Sequence, residues 1–353
     1  MSITPRTINA YAAFEKSGEV KPWQYESQPL GSEDVEIKIS HCGICGSDVR
    51  SLDSNWGMTT FPCVAGHEII GEVTVTGADT KHLAVGDRVR VGALAWVCLN
   101  KDKSCLCTEC AEDVDAYCGH AVWTFNMKRE DGTTTYGGFD DFVRVSSYLA
   151  FKIPDNISSD IATPLLCADA TVFTPLKTHK VKAGNRVGVI DIGGLGHLTI
   201  QFIRALDAVP VAFSRSTSKE QETRVLGAQE FYSLSDLDDV VKAFASVHLL
   251  LVTADATNMP YDAYLGLLRP RGTYVMLGLP SDKVQLTAPN LVVRGINFAG
   301  SMVDSIQDIK DMLALALKAN VRAITQKLPM SQVNEGLQFV REGSAHYCVV
   351  LEN

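Results

Sequence analysis

The chain has 353 residues, 46% of them hydrophobic and 21% charged, which is enough to build two domain cores and excludes a disordered polymer. Its 32 Lys and Arg against 41 Asp and Glu give a formal charge of -9, so it lacks the basic stripe that nucleic-acid binding requires. The opening MSITPRTINAYAAFEKSG has neither an apolar signal core nor an arginine-rich amphipathic pattern. No run approaches about 18 uninterrupted apolar residues, so no membrane partner is expected and the cytoplasm is the expected location.

In chain order, residues 1–155 read as short strands separated by glycine-containing turns. Val35–Ile39, Ile69–Val75, Asp87–Val91 and Phe142–Val145 alternate and are rich in β-branched residues. Over 156–296 the rhythm changes. Val187–Ile190 is a short apolar strand, and the glycine-rich segment after it opens the helical pattern LTIQFIRAL. VAFS follows, then a helix over Lys219–Leu226, a strand VHLLLV at 247–252 and YVMLG at 274–278. Strands alternating with helices predict a parallel α/β sheet. The tail, 297–353, carries a helix over Ser305–Ala319 and a closing strand, Tyr347–Leu351. It is more like the first part than the middle, so a nucleotide-binding domain inserted into another domain is expected.

Of the ten cysteines, five fall between Cys98 and Cys118, a concentration that points to a metal rather than to disulfides. Cys107-x2-Cys110-x7-Cys118 offers three thiolates, and a fourth comes from Cys98 or from Cys105. Four thiolates close a tetrahedral structural zinc site with no open position. Cys105 makes a cramped step and Cys98 a bulging loop; Cys98 is favoured. A second set is scattered: Cys45 in HCGICGSD, His67-Glu68 in GHE, and Cys167 in LLCADAT. Two thiolates and one imidazole leave a fourth position for water or substrate oxygen, as a catalytic zinc requires. Asp48 is the residue expected to orient the imidazole. Cys63 and Cys348 receive no role.

The segment Asp191-Ile-Gly193-Gly194-Leu195-Gly196 stands between a strand and a helix. Gly193 lets the backbone approach a pyrophosphate, Gly196 allows close helix–strand packing, and the helix offers unpaired N–H groups. Asp191 replaces the glycine of the tight turn; aspartate tolerates left-handed backbone, but its charge opposes phosphate. After the second strand come Ser214-Arg215-Ser216 and Lys219, with no acid to hold a ribose diol. Hydroxyls and cations there predict NADP(H).

Together these blocks, with GDRVRVGA, YGGFDDFVRV, FSRS and YVMLGLP, resemble the zinc-containing medium-chain alcohol dehydrogenases over essentially the whole chain. The resemblance is narrowest to the NADP-dependent cinnamyl-alcohol dehydrogenase-type branch. It implies a chaperonin-like β-barrel catalytic domain, interrupted by a Rossmann doubly wound parallel sheet, and a homodimer. It also implies two zinc ions per chain, and a small aldehyde or primary alcohol as substrate.

Residue by residue, it implies that Cys45, His67 and Cys167 hold the catalytic zinc with Glu68 beside it as an alternative ligand. Ser47 matches the hydroxyl that touches the substrate oxygen. Thr171, Leu277 and Gly278 match positions around the nicotinamide, and Arg215, with Ser214, Ser216 and Lys219, the 2′-phosphate site. Trp56, Trp96 and Trp123–Phe125 are candidate walls of an apolar pocket, which favours aromatic or medium-chain substrates.

Three positions depart from the family pattern: Asp191; Asp304, where relatives carry glycine; and Arg50, where they carry a proton-relaying histidine. Arginine stays protonated and cannot take that role. Arg50 therefore keeps open an alternative, NADPH-dependent reduction of an iminium ion or an activated alkene. A non-catalytic nucleotide sensor is the reading of another class, and it would be expected to have lost the Cys45/His67/Cys167 set.

Overall fold

The computed structural model describes residues 4–104, 106–129, 132–281, 283–303 and 305–353. The chain divides into two compact units: Met1–Cys167 with Asp304–Ile309 and Ala323–Asn353, and Ala168–Val303 with Lys310–Arg322.

The first unit opens with a hairpin, β1 (Thr7–Ala12) and β2 (Lys21–Glu26), paired antiparallel. Then come β3 (Asp34–Ile44), β4 (Glu68–Thr76), β5 (Arg88–Val91), β6 (Leu94–Trp96), β7 (Val122–Trp123), β8 (Phe142–Ser146) and β9 (Ala150–Lys152). The long strand β3 shows why this region forms a sheet. Val35, Ile37 and Ile39 alternate into the core, while Glu36 on the opposite side is buried against Arg144 and Arg6. Strand β3 pairs antiparallel with both β4 and β8, and β4–β5–β9 extends the sheet. The core collects Val35, Ile37, Ile69, Val89, Phe139 and Val145.

The second unit contains β10 (Arg186–Ile190), β11 (Val209–Ser214), β12 (Glu230–Ser233), β13 (Val247–Val252), β14 (Leu268–Met276) and β15 (Asn297–Gly300). All pair parallel, in the order β12-β11-β10-β13-β14-β15. In chain order this is 3-2-1-4-5-6, the doubly wound arrangement that binds dinucleotides where the strand order reverses, here between β10 and β13. Such strands are covered on both faces and read as continuous apolar runs: Val187, Val189, Leu249, Leu250 and Leu251 are all buried.

The chain then returns to the first unit. β16 (Thr325–Pro329) pairs parallel with β17 (Cys348–Glu352), and β17 pairs antiparallel with β3. The helix Val333–Glu342 between them ends at Gly343, whose φ of 63° suits a left-handed cap. Among the described residues no helix is long and apolar enough to cross a membrane.

Candidate metal and cofactor sites

Strand β3 ends at Ile44, and Cys45 becomes the N-cap of the helix Gly46–Leu52. The cap is locked by Asp48, whose Oδ2 accepts the Cys45 backbone N–H at 2.8 Å. The other oxygen, Oδ1, accepts the backbone N–H of Gly66 at 2.9 Å and lies 3.0 Å from His67 Nδ1. One fully buried carboxylate therefore sets the positions of Cys45 and His67 and turns His67 Nε2 away from itself. That nitrogen lies 3.5 Å from Ser47 Oγ, and Cys45 Sγ lies 3.7 Å from Cys167 Sγ. Glu68 opens β4 opposite Gly43; a Cβ on Gly43 would stand 1.9 Å from Glu68 Oε2, so only glycine there leaves room for that carboxylate. Ligand atoms of Cys45, His67, Glu68 and Cys167 all lie within 4.8 Å of one another.

Electrostatics divide this cluster between one thiolate-favouring cysteine and two groups held protonated. The hydrogen bond with Cys167 is the main cause that holds the Cys45 thiol well below its ordinary value, and the same contact pushes Cys167 up. Burial pulls His67 down, yet Asp48 and the Cys45 thiolate together carry it well above its usual range. Ring stacking by Phe125, 5.9 Å from His67, gives the imidazole an apolar neighbour.

The second cluster is local. Sγ separations are 3.4 Å for Cys98–Cys107, 3.5 Å for Cys98–Cys110, 3.7 Å for Cys107–Cys118 and 3.6 Å for Cys98–Cys118. Thiolates about 2.3 Å from a tetrahedral zinc stand about 3.8 Å apart, whereas a disulfide requires about 2.05 Å. The four sulfurs, like the Cys45–Cys167 pair, fit a metal and not a cross-link. Cys107 caps the helix Thr108–Ala111 and accepts the Cys110 N–H.

The loop from Cys98 to Cys107 is shaped by Leu99 and Asn100, with φ of 49° and 52°. Asn100 Oδ1 accepts the Cys107 N–H at 2.8 Å, and Nδ2 donates to the Cys107 carbonyl at 3.0 Å. Sequence reasoning did not single out Asn100. An Asn flanked by candidate ligands, tolerant of positive φ, was the available signal. Cys105 and Asp304 lie outside the described residues.

In the second unit, Gly193 caps the helix Gly194–Ala205, and Leu195 and Gly196 occupy its first turn. A Cβ on Gly196 would lie 2.1 Å from the Asp191 carbonyl oxygen, so the helix is packed on the strand end as a dinucleotide frame requires. Thr253, also not anticipated, donates through Oγ1 to the carbonyls of Ile190 and Asp191, both at 2.9 Å. Lys219 Nζ reaches back to the Ile192 carbonyl at 2.9 Å. Ser214 ends β11 half-buried, while Arg215 and Ser216 are exposed. Cradle and switch point fit a dinucleotide.

Residues 31–155 match the alcohol dehydrogenase GroES-like domain, and 194–318 the zinc-binding dehydrogenase domain. A probable mannitol dehydrogenase from Fragaria ananassa is 33% identical over 98% of this chain and 95% of that protein. The chain belongs to the zinc-type medium-chain dehydrogenase/reductase superfamily. Two solved structures share the fold of this medium-chain dehydrogenase. A cinnamyl alcohol dehydrogenase from Sorghum bicolor superposes with a TM-score of 0.93, at 31% identity and 98% coverage of both chains. One from Helicobacter pylori, complexed with NADP(H), superposes with a TM-score of 0.90, at 26% identity and 99% coverage of both. Oxidoreductase chemistry on small carbonyl or alcohol substrates follows from this membership.

The remaining expected residues of this dehydrogenase fall as follows. Thr171 is buried in the helix Ala168–Thr178, and Leu277 and Gly278 are buried just after β14. A Cβ on Gly278 would meet the Ala254 carbonyl oxygen at 2.0 Å. Arg50 lies in the last turn of the helix that Cys45 caps. The aromatic candidates separate. Trp96 and Trp123 pack with Leu94, Val97, Cys98 and Cys118 beneath the four-cysteine cluster, Trp56 is 45% exposed, and Phe125 stacks on His67.

Proposed function

We propose that this protein interconverts aldehydes and primary alcohols with NADP(H), using one zinc at Cys45, His67 and Cys167 and a second, structural zinc at Cys98, Cys107, Cys110 and Cys118. The observation that carries the reading is a hydroxyl proton donor, Ser47, 3.5 Å from the nitrogen of His67 that faces away from Asp48, beside thiols 3.7 Å apart. When bound, zinc would polarise a carbonyl oxygen as a Lewis acid and the nicotinamide would carry the hydride.

The chain supplies the rest. On a divalent cation Cys45 and Cys167 would bind as thiolates whose two negative charges balance it, and Asp48 would hold the Nδ1 proton so that Nε2 presents its lone pair. Glu68 is the carboxylate in reserve for the fourth position. Ser47 gives its O–H proton to the substrate oxygen as the carbonyl is reduced. It recovers one from solvent, since Arg50, unlike a histidine, is no proton shuttle. Gly193, Gly194, Leu195 and Gly196 receive the pyrophosphate, and Ser214, Arg215, Ser216 and Lys219 the 2′-phosphate. Thr171, Leu277 and Gly278 line the nicotinamide. Phe125 beside His67 supports an aromatic or medium-chain substrate. The resemblance extends the reading to a homodimer.

A kinetic panel of aldehydes, iminium ions and activated alkenes tests this. Cys45→Ala should abolish aldehyde reduction, and Ser47→Ala should lower kcat/KM by about 100-fold or more. NADPH should be used at least about tenfold better than NADH. Aldehyde turnover preserved in both variants would overturn the mechanism and favour the iminium or alkene reading, which Arg50 supports because it leaves the usual proton relay incomplete.

A further inference from the structure

Asp191 occupies the turn directly after β10 with φ of 73°, a left-handed conformation that aspartate and asparagine tolerate and most side chains do not. The turn around it is tied down. Thr253 Oγ1 donates to the carbonyls of Ile190 and Asp191, and Lys219 Nζ to that of Ile192. The Asp191 side chain leans along the glycine segment, with Oδ2 3.5 Å from the point where a Cβ on Gly193 would stand. Gly193 is the N-cap of the 12-residue helix Gly194–Ala205, whose first N–H groups are the expected seat of a pyrophosphate. The same carboxylate feels both cations of the 2′-phosphate site. Burial raises its pKa above the ordinary carboxylate value, a rise that Lys219 and then Arg215 offset only in part. A carboxylate thus lies beside the glycine segment and within electrostatic reach of both cations.

Resting on the cofactor assignment above, we infer that Asp191 is a selectivity residue: its carboxylate competes with the cofactor's phosphates for Arg215, Lys219 and the Gly193 helix terminus, and so narrows the preference for NADP(H) over NAD(H). The inequality follows from charge. Both cofactors carry the pyrophosphate, but only NADP(H) adds a monoester phosphate of about −1.5 to −2 at pH 7. Repulsion from a fixed carboxylate therefore weakens NADP(H) more.

Calorimetric titration of the full chain with NADP⁺, NAD⁺, 2′,5′-ADP and 5′-AMP tests this without relying on turnover. Asp191→Asn keeps the size and the tolerance of positive φ while removing the charge; Asp191→Gly restores the family residue and guards against a folding artefact in the first variant. Both should tighten NADP⁺ and 2′,5′-ADP about tenfold, and NAD⁺ and 5′-AMP only about two- to threefold. The gain for 2′,5′-ADP should shrink in high salt. Equal changes for the two pairs of ligands would overturn the inference. So would weaker NAD⁺ binding in Asp191→Asn, which would make the carboxylate a ribose acceptor.

The wild-type affinities test the cofactor assignment separately. A chain that prefers NAD⁺ but still moves toward NADP⁺ in both variants would defeat that assignment and leave the role of Asp191 standing.

Discussion

The two metal-ready clusters are built in opposite ways. Cys98, Cys107, Cys110 and Cys118 come from one short stretch, and the apolar base beneath them is small, with Leu94, Val97 and Leu149 at its centre. In a region with so little core, an ion enclosed by four thiolates would contribute folding energy. Cys45, His67, Glu68 and Cys167 are delivered by the end of β3, a helix N-cap, the start of β4 and the residue before the helix Ala168–Thr178. Strands β3 and β4 pair over a large core, and that pairing positions Cys45, His67 and Glu68 at their ends. The lesson is that a knot of ligands near in sequence stabilises, whereas ligands gathered across a sheet can keep a position free for chemistry.

Each cluster has one polar side chain as its clamp, and these two residues sharpen the contrast. Asp48→Asn removes the charge that accepts from Cys45, Gly66 and His67. Metal affinity at the dispersed site should fall about 10- to 100-fold, read by competition with a chelator, with the four-cysteine site unaffected. Asn100→Ala, which removes both hydrogen bonds to Cys107, should lower stability by about 1–2 kcal/mol in denaturant unfolding. NADP⁺ affinity and the metal affinity of the dispersed site should stay unchanged. If Asn100→Ala weakened the dispersed site as much as Asp48→Asn does, the two clusters would not be separable.

Much of this was legible in the residues because spacing and alternation carry it. Cys107-x2-Cys110-x7-Cys118 announces a metal knot, and the apolar runs at 187–190 and 247–252 lie in β10 and β13 of the parallel sheet. What was not legible depends on tertiary placement. The loop that brings Cys98 in rests on two successive residues at positive φ, Leu99 and Asn100, which no periodicity signals. The helix Val333–Glu342 carries Gly336 in its interior, a poor helix former; a Cβ there would come within 2.5 Å of Ile44 Cδ1, so close packing explains the glycine. Trp96 and Trp123 lie in short strands beside the four-cysteine cluster, so their side chains serve its base rather than the environment of His67.

The most direct test of the division between the clusters is metal content measured alongside thermal unfolding, in the wild type, Cys45→Ala and Cys107→Ser. About two zinc ions per wild-type chain and about one in each variant are expected. The melting temperature should be nearly unchanged in Cys45→Ala, and strongly lowered in Cys107→Ser by the loss of a folding ligand. About one zinc in both the wild type and Cys45→Ala, or equal destabilisation in the two variants, would contradict that division.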